Sequence, residues 1–418
     1  MKVVWIGASP FIPTGFGRTS KHMTIELRRR GYDVAVVDLQ RFMPPSKDAE
    51  LDAIVYPGSR YENWIRAIRE YGADAVVMLG SVWAEPMRSF GQVMREKFPD
   101  VKYIVYAPYE YITASHALFS AFIGAHAVAS PSRYGQKLFA MHVGQEFSYY
   151  VPHGVDTGTF RPLEQVKGRM PGFTYLMVAR NNLRKEIASV IAAFALLPSS
   201  IKKQSFLMLY TTLQEVTPSA HGLVLGWDVR QLGLKYAVDD KIVIFHEAAG
   251  ADWGVPDAVM NTIYNMADAY LAISTGEGFC YPAVEAMAAG RPVIASRNTA
   301  LLELCEDGEY CLMVKTVGSF IESLELFAYT PTDVYDLSVK MEQMFSDASL
   351  RSELASKAVE RARQFSWERA GDAMEKVLDD VQTRSRRIEA FVHRALADDF
   401  SLNPEFTKYA ERARKAGL

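Results

Sequence analysis

The sequence has little cysteine: three residues in 418, Cys280, Cys305 and Cys311. An odd number, with no Cys or His partner at metal-ligand spacing, excludes a zinc module and a disulfide scaffold. All three are expected as buried or half-buried thiols in a reducing compartment. Long hydrophobic runs are also missing. The longest, such as 187–197, is too short to span a bilayer. The first residues run straight into a strand-like segment, so no signal peptide is expected. The expected location is cytoplasmic, with at most peripheral contact on the inner membrane face. Neither sign of charge is in surplus. A formal net charge of −3 gives no bulk attraction to nucleic acid or anionic lipid, and no nucleic-acid partner is predicted. Repeats and low-complexity tracts are absent.

What is present is the composition of an ordinary globular protein, 49% apolar and 23% charged. At roughly 100–200 residues per domain, the length suggests two domains. Short apolar runs at 2–7, 33–39, 75–79, 102–106, 127–129 and 149–151 alternate with helical segments. The helix over 19–30, with Met23 and Leu27 four apart, stops at Gly31. A turn-rich stretch from His153 to Gly172 follows. A second series of strands is then expected at 174–178, 205–210, 241–245, 269–273, 292–295 and 311–314. Repeated βα units imply parallel sheets covered on both faces. The expected class is α/β, with a Rossmann-like domain over 1–155, a linker over 156–172, a second Rossmann-like domain over 173–365 and C-terminal helices over 366–418. Ser366 is the expected N-cap of a helix reaching about Val381. Beyond it, Arg384, Arg386 and Arg387 form a basic cluster, read as a solvated helix end in preference to a membrane or partner contact.

The sharpest chemical signal is Ser274-Thr275-Gly276-Glu277-Gly278-Phe279-Cys280-Tyr281-Pro282, continuing through Glu285 to Ala295. An apolar strand ends at Ile273, a glycine-bearing loop follows, and Pro282 suits the first turn of a helix. The amides of Gly278, Phe279 and Cys280 then face outward from the carboxyl end of a parallel strand, an arrangement that favours a diphosphate. If the run were all helix, the eight residues from Glu277 to Glu285 would separate their carboxylates by about 12 Å. That is close to the span from a hexose across a diphosphate to a ribose, and each carboxylate can accept hydrogen bonds from a pair of sugar hydroxyls.

A second signal follows the domain's first strand, Val178-Ala179-Arg180-Asn181-Asn182-Leu183-Arg184-Lys185-Glu186. A nucleoside-diphosphate leaving group gains negative charge as its glycosidic bond breaks, and fixed cations beside it lower that barrier. Arg180 and Lys185 can converge on one diphosphate; Arg184 is read as a solvated charge. In the first domain, Gly15 and Gly17 lie in Pro13-Thr14-Gly15-Phe16-Gly17-Arg18 and permit close backbone approach. The third glycine of a dinucleotide fingerprint is lacking, which disfavours a dehydrogenase. Glu110 and His116 follow the strand ending at Tyr106, and either can bind sugar hydroxyls or orient an acceptor. His246-Glu247 stands where a nucleobase pocket could have its edge.

These stretches resemble retaining glycosyltransferase family 4, of the GT-B fold, in which two Rossmann-like domains face each other across a cleft and terminal helices cross back to the first. The resemblance covers about residues 3–381. The family pattern reads E-G-F-G-x-P-x-x-E-A-M-A-x-G-x-P-V-I-A, from which this sequence departs at Cys280, where glycine is usual. Cys280 would be strained if its φ is positive. The resemblance implies that Glu277 contacts the donor hexose and Glu285 the ribose, that Arg180 and Lys185 hold the diphosphate, that the Gly15–Gly17 loop closes over the sugar and phosphate, and that Glu110 or His116 lies near the reacting face. Gly278, Phe279, Cys280 and Tyr281 complete the expected donor contacts. The implied activity is transfer of a hexose with retention, from a UDP-, GDP- or ADP-sugar to an unidentified acceptor. No cofactor and no metal are expected, since no Asp-x-Asp motif stands at a strand end. The alternatives are an epimerase or other enzyme on the same fold, or a degenerate protein that binds sugar nucleotide without turnover.

Overall fold

The computed structural model describes residues 1–82, 84–112, 120–166, 168–213, 216–219, 222–245, 254–322 and 327–388. They form two units. One takes Met1–Gly154 and resumes at Trp367; the other is built mainly from Val155–Ile321 and Ala328–Ser366.

The first unit runs β1 (Lys2–Gly7), α1 (Gly15–Arg29), β2 (Asp33–Asp38), β3 (Ser46–Asp48), β4 (Ala53–Pro57), α2 (Tyr61–Tyr71), β5 (Ala75–Leu79), α3 (Glu85–Lys97), β6 (Lys102–Tyr106), β7 (Ala127–Ser130), α4 (Arg133–Val143) and β8 (Ser148–Tyr150). The sheet order is β3-β4-β2-β1-β5-β6-β7-β8, parallel except for the β3–β4 pair. The central strands are buried nearly end to end, as continuous apolar runs in a parallel sheet should be. Three elements of this unit differ from the sequence expectation. Strand β3 was not anticipated, because it is exposed and polar and carries no apolar signal, and neither was the short, largely buried β4 that pairs with it. Helix α1 begins at Gly15, four residues before its periodicity becomes visible. Thr14 caps it, its side-chain oxygen accepting from the Gly17 amide at 3.1 Å.

The second unit runs β9 (Phe173–Val178), α5 (Ile187–Leu196), α6 (Ser199–Lys203), β10 (Ser205–Tyr210), the hairpin β11 (Val216–Ser219) and β12 (Gly222–Leu225), α7 (Val229–Lys235), β13 (Ile242–Ile244), α8 (Asp257–Asn265), β14 (Ala269–Ala272), α9 (Tyr281–Ala288), β15 (Val293–Ser296), α10 (Thr299–Leu304), β16 (Leu312–Val314), α11 (Val334–Ser346) and α12 (Ala348–Arg363). Its main sheet is ordered β13-β10-β9-β14-β15-β16. Alternate strand residues point to opposite faces, and each face has its own core. Leu176, Met208 and Tyr270 pack with α8, α9 and α12; Tyr175, Leu207 and Leu271 pack with α5 and α11.

Cys305 and Cys311, expected as thiols, are joined in a disulfide. The turn after α10 brings their Cα atoms to 5.2 Å, a proximity that spacing alone did not reveal. Both are buried. Closing so short a loop restricts the unfolded chain by about 2 kcal/mol. Reduction with dithiothreitol is therefore expected to lower the melting temperature of the folded protein; unchanged melts would contradict a stabilising bridge.

Helix α13 (Trp367–Gln382) belongs to the first unit. Its buried stripe, Ala370, Met374, Val377, Leu378 and Val381, has the spacing of one helical face. The Trp367 ring stacks on His22 of α1 with centroids 4.6 Å apart. Arg30 donates to the Glu368 carbonyl and to Asp372. In the basic cluster beyond α13, Arg386 is exposed, but Arg384 and Arg387 are not solvated. Arg384 donates to the His126 carbonyl and to Tyr149 Oη, while Arg387 donates to the carbonyls of Gly124 and Pro99. Sequence reading could not see these partners, which lie more than 230 residues away along the chain. No helix among the described residues is long and apolar enough to cross a membrane.

Candidate functional site

Strand β14 ends at Ala272, and residues 274–280 form the loop into α9. Several contacts fix that loop. Asn298 Nδ2 donates to the Ser274 carbonyl at 2.7 Å. The Thr275 amide donates to the Arg184 carbonyl at 2.9 Å. The Glu277 amide donates to Thr299 Oγ1 at 2.7 Å. At the loop's end Cys280 is the N-cap of α9 with φ 76°. The left-handed conformation anticipated as a source of strain is present, and it costs a non-glycine residue about 1–2 kcal/mol. Burial, reinforced by the neighbouring Glu277 charge, pushes the Cys280 thiol up to about 12, so it is neutral at working pH. Because glycine relieves the strain and alanine does not, Cys280→Gly is expected to melt about 2–4 °C above Cys280→Ala. The opposite order in parallel thermal melts would show that the backbone there is unstrained.

Glu277 is 6% exposed. Lys185 Nζ bonds its Oε1, and Arg184 NH1 lies 3.2 Å from its Oε2. Burial alone pushes this carboxyl up; the Lys185 ammonium and then the Arg184 guanidinium outweigh it and hold the carboxyl down at about 2. Arg184 also donates to the Gly276 carbonyl, and its side chain is only 22% exposed. The expectation that Arg184 is a solvated charge is therefore incorrect. The turn after β9 folds its side chain back onto the 274–277 loop.

About one turn into α9, Glu285 is 2% exposed, and Tyr264 Oη of α8 donates to it at 2.8 Å. Gly278 and Phe279 are buried, and Tyr281 is half-buried. The Phe279 ring packs edge-on against Tyr281 and Phe365. Arg180 is exposed, in the turn after β9. The second unit thus brings Lys185, Glu277 and the unanticipated Arg184 into one cluster, at the start of the helix that carries Glu285.

Sequence reasoning also missed Glu186. Its carboxylate accepts from the Thr332 amide at 2.9 Å and from Thr332 Oγ1 at 2.6 Å. Thr332 Oγ1 pairs with Ser296 Oγ, which accepts from the Ser274 amide. Burial raises the Glu186 carboxyl above its ordinary value. Both residues flanking Lys185 are therefore tied, directly or by relay, to the loop bearing Glu277. No local pattern in the sequence signals this, because the partners come from four separate segments.

The remaining expected site residues lie elsewhere. Gly15 and Gly17 belong to the first unit and form the first turn of α1, not a free loop. A Cβ at position 17 would stand 2.2 Å from the Ile12 carbonyl oxygen, so that position needs glycine for packing. Glu110, also in the first unit, is buried after β6. His116 and the pair His246-Glu247 lie outside the described residues. Among the described residues no group of three His, Cys, Asp or Glu is placed to hold a metal ion.

Over 91% of the chain the fold superposes on sucrose-phosphate synthase from Thermosynechococcus elongatus, covering 99% of that chain with a TM-score of 0.69 at 16% identity. It superposes equally on Anabaena HepE, solved in complex with UDP-glucose, with a TM-score of 0.67 at 15% identity and coverage of 91% and 99%. The class follows: this is a GT-B fold. Residues 184–327 match the family model Glycosyl transferases group 1. Over 228 residues it is 28% identical to an MMP alpha-(1->4)-mannosyltransferase from Mycolicibacterium hassiacum. That alignment takes in 54% of this chain and spans less than half, 46%, of the relative.

Proposed function

We propose that the protein is a glycosyltransferase that moves a hexose, with retention and without a metal, from a nucleoside-diphosphate sugar to an acceptor. The observation that carries this reading is the cluster of Lys185, Arg184 and Glu277 at the amide-bearing start of α9. Cations and the amides of a helix start suit a diphosphate. A buried ionised carboxylate suits sugar hydroxyls, and Glu285, beside Tyr264, is the residue assigned to the ribose in this reading. The names of the relatives agree with the donor class: one is a mannosyltransferase and one neighbour was solved with UDP-glucose.

In this reading the glycosidic bond breaks toward an oxocarbenium-like state. Negative charge grows on the leaving diphosphate, where Lys185, Arg180 and the helix start stabilise it. The acceptor hydroxyl attacks the face the diphosphate is leaving, and the diphosphate takes its proton. Incubation with UDP-, GDP- and ADP-sugars tests the reading. The expected result is a thermal shift with one nucleotide class, and acceptor-dependent release of its diphosphate with the α-anomeric configuration kept. Conversion of the sugar nucleotide with no acceptor present would favour an epimerase. Binding without any turnover across acceptors would favour a degenerate binding protein.

A further inference from the structure

Lys185 has two demands on it. Its ammonium sits on Glu277 Oε1, yet the reaction proposed above needs it on the departing diphosphate. A buried carboxylate stripped of its cation is strongly disfavoured, so the exchange needs a second cation that stays behind.

Arg184 has the required geometry. Its NH1 reaches Glu277 Oε2, the oxygen Lys185 does not use, at 3.2 Å, and the same nitrogen donates to the Gly276 carbonyl. Its own carbonyl accepts from the Thr275 amide. Arg184 therefore grips the loop immediately before Glu277 through both backbone and side chain. A guanidinium keeps its charge at any working pH and presents several donors in a fixed fork. Lysine carries a point charge on a flexible four-carbon stem. On the other side of Lys185, Glu186 is fastened through Thr332. A lysine between two anchored neighbours has a fixed backbone and a side chain that can change partner.

We propose that Arg184 is a positioning residue: it holds the Glu277 carboxylate in register while Lys185 moves from that carboxylate to the diphosphate of the donor. The proposal rests on the glycosyl-transfer reading. When the diphosphate leaves, Lys185 returns to Glu277, and the carboxylate is never without a cation. Arg184 itself touches neither phosphate nor sugar. Its contribution appears only when a hexose is present for Glu277 to hold.

The test compares a nucleoside diphosphate with its own sugar nucleotide. Calorimetric titrations of the intact protein with UDP and UDP-glucose, GDP and GDP-mannose, and ADP and ADP-glucose identify the pair that binds. Arg184→Met is then expected to weaken the sugar nucleotide at least tenfold and the plain diphosphate less than twofold. Its sugar-nucleotide affinity should also fall off at a higher pH on acidification, while the plain diphosphate follows the wild-type profile. Arg184→Lys, which restores a cation near Oε2 without the fork, should recover most of the loss. Equal weakening of both ligands by Arg184→Met would overturn the proposal, since it would place Arg184 on the diphosphate or make it merely structural. Failure of Arg184→Lys to recover affinity would also overturn it. If the wild-type protein bound none of the six ligands, the glycosyl-transfer reading would fall and this proposal with it. Binding by wild type without discrimination by the variant would sink the proposal alone.

Discussion

Replacing Glu277 by Gln is expected to lower kcat/KM for glycosyl transfer by about 10²–10⁴-fold, from the loss of two charge-assisted hydrogen bonds at roughly 1.5–3 kcal/mol each. The amide has nearly the shape of the carboxylate, so the loop held by Thr299 and Asn298 should keep its course. What changes is charge. Lys185 and Arg184 would then face each other across a neutral group in a largely buried setting, and the melting temperature should fall. The variant also carries an opposite expectation that a general folding defect would not produce. With Glu277 neutral, Lys185 is released for phosphate, so affinity for the plain nucleoside diphosphate should hold or rise while transfer collapses. Steady-state kinetics beside calorimetric titration would show both. A kcat/KM within threefold of wild type would remove Glu277 from the chemistry.

Lys185→Met is expected to have a comparable effect on transfer with the reverse signature. Loss of one preorganised cation at a developing anion typically costs about 10²–10³ in kcat, and here the plain diphosphate should bind more weakly too. The variant should also lose less of its stability in acid. Glu277 is held at about 2, below the ordinary glutamate value of 4.5. A carboxyl depressed on folding stabilises the protein above its unfolded value, and that contribution is lost as pH falls through the folded value. In the intact protein the loss falls between about pH 4.5 and pH 2. Without Lys185 one of the two opposing cations is gone, so the folded value rises toward the unfolded one and less stability is lost over that window. Melting temperatures measured from pH 7 down to pH 3 should therefore lie furthest apart at neutral pH and converge at the acid end. Parallel curves would mean that Lys185 does not set the charge state of Glu277.

The parallel strands were legible because burial on both faces leaves an unbroken apolar run. Lys2–Gly7, Ala75–Leu79 and Ser205–Tyr210 appear where those runs stand. Ser46–Asp48 was not legible, because an exposed edge strand needs no apolar face. The start of α9 could be read because strand, glycine loop and proline follow one another within a short segment. Arg184 could not. Its carbonyl partner at Gly276 is 92 residues away, and a charged residue looks the same in sequence whether it meets water or a buried carboxylate. Cys305 and Cys311 were misread for a similar reason, since only the path of the turn after α10 decides whether two thiols meet. At Cys280 the sequence supplied the condition and the structure supplied the angle.

The return of the chain at Trp367 has a bearing on synthesis. Helix α13 covers α1 with its apolar stripe, yet α1 leaves the ribosome more than 300 residues earlier. Throughout that interval the nascent N-terminal half has its sheet but not its last covering helix, and the surface that will receive Met374, Val377 and Leu378 stays wet. Domains commonly fold in the order they are made. Here the unit made first waits for α13, so its exposed seam is a part of the newborn chain that a chaperone would have reason to cover.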